Sequence, residues 1–235
     1  MSEEGHYLVS ADYSQVELRV FAHYSEDEAF MEAFKEDEDI HARTALEILG
    51  REGGSVTPEM RQIAKAINFG IIYGMGPRRL SEELGIDHKT AKDYIEAYYD
   101  RYKGVARFRE QTIEMVREKG YVSTLFNRRR YLPDIKHGNN RIRSEAERMA
   151  INTPIQGTAA DLIKKAMINI HRELKQGDYK TRMLLQVHDE LVFEAPEGEV
   201  DTVIPMIKEE MEGVHSLRVP LKVDISKGRN WDEAH

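Results

Sequence analysis

Short apolar runs punctuate this chain, separated by longer stretches in which apolar positions recur every three or four residues. Tyr7-Leu8-Val9-Ser10-Ala11 is mostly apolar and predicts a strand running into Asp12, with a helix starting near Ser14. The pattern over 26–49 is helical and ends at Gly50, followed by a polar Gly53-Gly54-Ser55 loop. Thr57-Pro58-Glu59 is a strong helix opening: Thr as N-cap, Pro at the first helical position and an acid in the first turn. That helix should continue to about Gly74. Further helices are expected at 77–84, 88–117, 140–152 and 157–175, with Pro154 interrupting the last pair. Residues 121–131 read as a hairpin or extended loop with Asn127 at its tip. Runs at 183–187 and 191–193 read as strands joined by His188-Asp189-Glu190, and 221–225 as a final strand. No internal repeat is evident. Helix-rich sequence with a few separated strands predicts an α+β fold, a small antiparallel sheet with helices on one face.

Length and composition narrow the classes. The 235 residues suit one large domain or two small ones. The absence of Cys excludes disulfides, thiolate metal sites and cysteine nucleophiles. No apolar run reaches the ~18 residues of a membrane span, and the acidic start lacks a signal peptide's apolar segment. Hydrophobic residues at 40% and charged residues at 32% fit a soluble cytoplasmic protein. The net charge of −8 argues against a nucleic-acid partner until its distribution is considered. Residues 1–40 carry 12 acids and 2 bases, and 187–235 carry 12 acids and 5 bases. Between them, 101–148 carries 13 bases and 6 acids, and 149–186 carries 6 bases and 3 acids. A protein holding divalent cations in one place and phosphates in another has this layout, as does ordinary charge segregation on a solvated surface.

Asp12 ends one apolar strand and Asp189 lies in a tight turn between two others. Charged side chains there are costly unless compensated. Neighbouring strands would bring both carboxylates to one sheet edge, where Mg²⁺ relieves their repulsion. Two such ions about 4 Å apart are the standard device for in-line phosphoryl transfer. Taken singly, Asp12 reads equally as a helix N-cap and Asp189 as a turn residue.

Arg61, Lys65, Phe69 and Tyr73 are spaced by four, so a helix aligns them in one slowly drifting stripe. Cations at one end and aromatics at the other, across about 12 Å, match a nucleoside triphosphate. Ile63, Ile67 and Ile71 form a second row suited to packing, and an amphipathic helix with core aromatics is the plainer alternative. Arg128, Arg129 and Arg130 cluster at a predicted turn, followed by Lys136, Arg141, Arg143 and Arg148. This suits a phosphodiester backbone or a solvated basic face. Asn152, Thr153 and Gln156 surround Pro154, where capping is the favoured reading over base contact.

Together these motifs resemble family A DNA polymerases, the bacterial DNA polymerase I type. Asp12-Tyr13-Ser14-Gln15-Val16-Glu17-Leu18-Arg19 resembles the first palm motif. The Arg61-to-Gly74 helix resembles the fingers motif, and Gln186-Val187-His188-Asp189-Glu190-Leu191 the second palm motif. The likeness is nearly continuous from Glu3 to Trp231. It implies a small antiparallel palm sheet and a helical fingers subdomain: 1–50 as first palm part and start of the fingers, 51–135 as fingers, 136–235 as second palm part. It implies Asp12, Asp189 and the Tyr13 carbonyl as ligands of two Mg²⁺ ions, with Glu190 an accessory carboxylate near the primer. Arg61 and Lys65, assisted by His41, would hold the triphosphate, and Lys65 would protonate the leaving pyrophosphate. Phe69 would stack on the incoming nucleotide, and a Phe here implies poor acceptance of dideoxynucleotides. Tyr73 would lie by the templating base. Glu17 and Gln15 would meet the nucleotide, Glu17 excluding a ribose 2′-hydroxyl, and together they disfavour a single-subunit RNA polymerase. His188, Arg148, Asn152 and Gln156 would contact the primer-template DNA, as Arg128 and Arg129 suit its backbone. No thumb, proofreading or 5′-nuclease segment is expected in this chain. The alternative is therefore half of a split enzyme that works with an upstream thumb-bearing partner, or a nucleotide- or template-binding remnant.

Overall fold

The computed structural model describes residues 1–50 and 55–235; the Gly53-Gly54 part of the expected loop lies outside them. The chain opens with β1 (His6–Tyr13), α1 (Val16–Ser25), α2 (Glu28–Lys35), α3 (Ile40–Thr44) and a π-helical turn (Ala45–Leu49). Then follow α4 (Pro58–Ile72), α5 (Pro77–Leu84), α6 (His88–Arg101), α7 (Lys103–Lys119), β2 (Tyr121–Ser123) and β3 (Arg129–Tyr131). A 3-10 turn (Pro133–Lys136), α8 (Asn140–Gln176), β4 (Arg182–Val187), β5 (Glu190–Pro196), α9 (Val200–Glu212) and β6 (Val223–Gly228) complete it. The fold is α+β and helix-rich, with a small antiparallel sheet.

Two compact units emerge: residues 1–19 with 159–235, and residues 20–158. The division falls inside α1 and α8, whereas the sequence suggested boundaries at 50/51 and 135/136. Packing explains the position in α8. Ala146 and Ala150 on its first half are buried with Val116 of α7, Val122 of β2, and Leu132 and Ile135 beyond the hairpin.

The first unit is built on a four-stranded sheet of order β4-β5-β1-β6, every pair antiparallel. Val9, Ala11 and Tyr13 alternate along β1 and are buried. The Tyr13 hydroxyl donates to the Met211 carbonyl of α9 (2.7 Å), which identifies the face that α9 covers. The α9 stripe Val200, Val203, Ile207 and Met211 is buried in turn. This helix was not anticipated: Pro205 lies inside it, and Pro disfavours helix interiors. The last strand begins at Val223 and reaches Gly228, two residues later than expected at its start.

In the second unit α4 begins as the sequence predicts, with Thr57 Oγ1 accepting from Met60 N (3.2 Å) and Pro58 in the first turn. Three other helices differ from expectation. The 26–49 helix is broken, because Asp39 turns its carboxylate onto His41 N and Ala42 N (2.9 and 3.1 Å) and restarts the helix as α3. The 88–117 helix divides at Tyr102, where Gly104 N donates to Asp27 Oδ2 (2.8 Å). A Cβ on Gly104 would lie 2.7 Å from the Asp27 Cα and the Ser25 carbonyl, so this close approach requires Gly. Conversely, α8 continues through Pro154 without a break. Pro154 and Ile155 are buried, and their packing offsets the forfeited hydrogen bond.

Candidate active site

The two acidic corners expected from sequence meet in the first unit. β1 lies next to β5, Asp12 is directly opposite Glu190, and Tyr13 N donates to the Asp189 carbonyl (3.3 Å). On its other side β1 pairs with β6, setting Asp12 opposite Asp224. Directly opposed residues share a sheet face. Glu190, Asp12 and Asp224 therefore form one acidic row, with Asp189 in the adjoining two-residue turn. The corners are conformationally unusual. Gln15 and His188, each at φ 54°, occupy the left-handed region that non-glycine residues seldom adopt. Gln186 Nε2 holds the His188 turn by donating to its carbonyl (2.9 Å). Buried Arg19 secures the other corner, bonding the Ser14 and Pro220 carbonyls (2.8 Å each).

Asp12 is pushed up to about 6, first by burial and then by Asp189, Glu190 and Asp224, with His235 opposing. Its Oδ1 is buried without a hydrogen-bond partner. Glu190 differs: its Oε1 accepts from Ser10 Oγ (2.6 Å) and Trp231 Nε1 (3.0 Å), with His235 Nδ1 at 3.6 Å. An orphaned carboxylate oxygen among mutually repelling acids fits a hard divalent cation. Among the described residues no three such side chains form a ready-made cage. Two aspartates and the Tyr13 carbonyl would leave the remaining octahedral positions to water and phosphate, the usual arrangement for Mg²⁺. Asp224, Ser10, Trp231 and His235 were not singled out from sequence, since cross-strand register and tail docking are non-local. Glu17 is half-buried on α1, in the same unit as Asp12.

The second unit carries the α4 stripe singled out from the sequence. Arg61 and Lys65 are exposed on α4, and Phe69 and Tyr73 half-buried, their rings stacked with centroids 6.1 Å apart. Lys65 and Phe69 line an open cleft of about 660 Å³. Arg61 is engaged by Asp39, Nε to Oδ2 2.6 Å. His41 lies 5.8 Å from the Phe69 ring, and its ring Nδ1 contacts Asn68 Nδ2 (3.0 Å). Burial, with Arg61 and Lys65 assisting and Asp39 opposing, drops its pKa to about 4. Beside the two cations of the stripe, the His41 imidazole of α3 is therefore neutral. Tyr73 precedes Gly74, whose φ of 64° ends the helix.

The basic segment is only partly solvated surface. Arg128 donates to the Gly157 carbonyl (3.0 Å), and Arg129 lies 4.6 Å over the Tyr121 ring. With Arg130, Thr124, Thr153 and Gln156 they line a cleft of about 270 Å³. Because α8 is continuous, Asn152 and Gln156 are not caps, which corrects the capping reading. Instead Arg148, Asn152 and Gln156 follow one another every four residues along one helix face. Asn152 Oδ1 is buried without a hydrogen-bond partner.

Comparison with known proteins gives a consistent result. The family model described as DNA polymerase family A matches residues 1–233. DNA polymerase I of Bacillus caldotenax is 51% identical over 99% of this chain, which spans 27% of that protein. DNA polymerase I of Caldicellulosiruptor bescii is 49% identical over 98% of the chain, again 27% of the relative. The chain thus spans about a quarter of the length of these relatives. A solved structure, the POL domain of Pol1 from M. smegmatis in complex with DNA primer-template and dNTP, matches with TM-score 0.94 and 43% identity. That match covers 99% of this chain and 41% of the other.

Proposed function

The chain belongs to DNA polymerase family A, and from that premise we propose that it carries out template-directed DNA synthesis. The reaction is nucleotidyl transfer: a primer 3′-oxygen bonds the α-phosphorus of a dNTP while the bond to pyrophosphate breaks. The observation that carries this reading is the Asp12–Asp189 corner, with its orphaned Asp12 oxygen and raised pKa.

Two Mg²⁺ ions, when bound by Asp12, Asp189 and the Tyr13 carbonyl, would supply an activated 3′-oxygen and charge neutralisation at the leaving group. Arg61 and Lys65 bind the triphosphate, and Lys65 donates a proton to the departing pyrophosphate. Phe69 stacks on the nucleotide and Tyr73 lies at the templating position. Glu17, beside Gln15, excludes a 2′-hydroxyl. Glu190 and His188 meet the primer end. Arg148, Asn152, Gln156, Arg128 and Arg129 hold the DNA, mostly through phosphates. In this reading 1–50 and 136–235 are the palm with the start of the fingers, and 51–135 the fingers.

Primer extension with Mg²⁺ and dNTPs tests the proposal. Asp189→Ala should abolish extension while leaving the circular-dichroism spectrum and melting curve near wild type. Near-normal extension by that variant would overturn the assignment.

A second reading is favoured by the edge strand β4, which exposes Leu184 and Leu185. Exposed apolar residues on a free sheet edge suit a covering segment. In this reading the chain is a subunit that synthesises DNA only with a thumb-bearing upstream fragment. Extension by the chain alone excludes it; extension only on adding that fragment establishes it.

A further inference from the structure

Behind the α4 stripe lies a buried chain of hydrogen bonds that no part of the proposed mechanism uses. Thr44, Asn68, Tyr98 and Tyr102 are fully buried, and His41 nearly so. Asn68 Nδ2 lies 3.0 Å from His41 Nδ1 and 3.1 Å from Thr44 Oγ1. Asn68 Oδ1 accepts from the Tyr98 hydroxyl (3.0 Å), and Thr44 Oγ1 is 3.2 Å from the Tyr102 hydroxyl.

The direction of these bonds follows from Tyr98. Its fully buried hydroxyl donates to Asn68 Oδ1, which turns the Nδ2 side of the amide toward His41. One Nδ2 hydrogen lies toward Thr44 Oγ1, whose hydroxyl is also 3.2 Å from Asn68 Oδ1. The second Nδ2 hydrogen meets His41 Nδ1, so Nδ1 is an acceptor and the ring proton resides on Nε2. Among the described residues no hydrogen bond to Nε2 is present, so the Nε2 proton is left for a ligand.

We infer that Asn68 is a positioning residue: it locks His41 in the neutral Nε2–H tautomer, so that the ring gives the triphosphate an uncharged donor beside Arg61 and Lys65. This rests on reading α4 as the triphosphate site. The charged groups facing His41 are Asp39, Arg61 and Lys65, and the two cations disfavour its protonation. A neutral donor adds a directed hydrogen bond to a phosphate without adding a third cation that would hinder pyrophosphate release.

Imidazole ¹⁵N spectra of the free wild-type chain, with the His41 signals assigned through His41→Gln, provide the first test. The Nε2–H tautomer should persist from pH 8 to pH 6. An Nδ1–H tautomer, or an imidazolium at pH 6, overturns the inference without any variant having to fold. The second test is Asn68→Asp, whose carboxylate can only accept and so requires a proton on Nδ1. Its His41 spectrum should change, and the dNTP KM at pH 8 should rise about tenfold with kcat within about twofold. The wild-type KM should be flat between pH 6 and 8, whereas that of the variant should vary. An unchanged KM in folded Asn68→Asp, with wild type binding dNTP normally, overturns the inference alone. Failure of wild type to bind dNTP overturns it together with the nucleotide-site reading.

Discussion

Asp12 and Glu190 are cross-strand partners, yet Glu190 has its Oε1 filled by Ser10 and Trp231 while Asp12 Oδ1 has no hydrogen-bond partner. The sheet thus satisfies one acid internally and leaves its neighbour without a hydrogen bond. Removing the Asp12 charge should expose this asymmetry. Asp12 holds its proton more tightly folded, at about 6, than at its ordinary value of 3.8. The folded state consequently loses stability as pH rises from 3.8 through 6 and regains it as pH falls. Asp12→Asn should raise Tm by about 2–4 °C in Mg²⁺-free buffer at pH 7.5, with the gain vanishing near pH 4. Primer extension should be lost. Calorimetry showing no gain at pH 7.5 would refute the electrostatic account.

Arg61 is paired with Asp39 at 2.6 Å. In the proposed function a triphosphate would have to displace that carboxylate. Asp39→Asn keeps an N-cap acceptor for α3 while removing the charge. A half-exposed pair of this kind is worth about 0.2–1 kcal/mol. The dNTP KM should fall by up to about fivefold at low salt, and the effect should shrink at high ionic strength. An unchanged or raised KM would count against Arg61 as a triphosphate ligand.

Gly74 combines φ 64° with close packing, since a Cβ there would lie 2.9 Å from Arg148 Cγ. Gly74→Ala should cost about 1–2 kcal/mol, lowering Tm by about 2–8 °C. It should also weaken primer-template binding in a fluorescence-anisotropy titration, because Arg148 must shift. Wild-type stability and affinity in this variant would contradict the close approach.

Tyr13 lies next to Asp12 in β1 and directs its side chain to α9. Tyr13→Phe removes the hydroxyl that satisfies the buried Met211 carbonyl. A loss of about 1–3 kcal/mol in urea unfolding is expected, with little effect on Mg²⁺ dependence. A large Mg²⁺ shift without destabilisation would show that the ring, not the main chain, serves the corner.

Much of this was open to inspection in one dimension. The α4 opening at Thr57-Pro58, the Arg61–Tyr73 stripe, the Asn127 hairpin tip and the strands flanking Asp189 all depend on residues within a few positions of one another. Local sterics and periodicity suffice for such features. The breaks at Asp39 and Tyr102, the continuity of α8 through Pro154 and the existence of α9 were not legible. Asp39 breaks its helix by a local cap that the apolar periodicity conceals, and in the other three a contact or burial overrides a local preference: Gly104 against Asp27, Pro154 and Ile155 in the interior, Met211 against Tyr13.

The site divides along the same line. Sequence alone determined which residue types stand out as candidates: paired aspartates at strand ends, two cations and two aromatics at helical spacing, and a basic segment between acidic ends. Tertiary structure alone decided that Asp12 faces both Glu190 and Asp224, that Trp231 holds Glu190, and that Asn68 reaches His41 across 27 positions. Strand register and buried hydrogen-bond direction are set by partners far away in the chain. No local pattern of hydrophobic and polar residues encodes them.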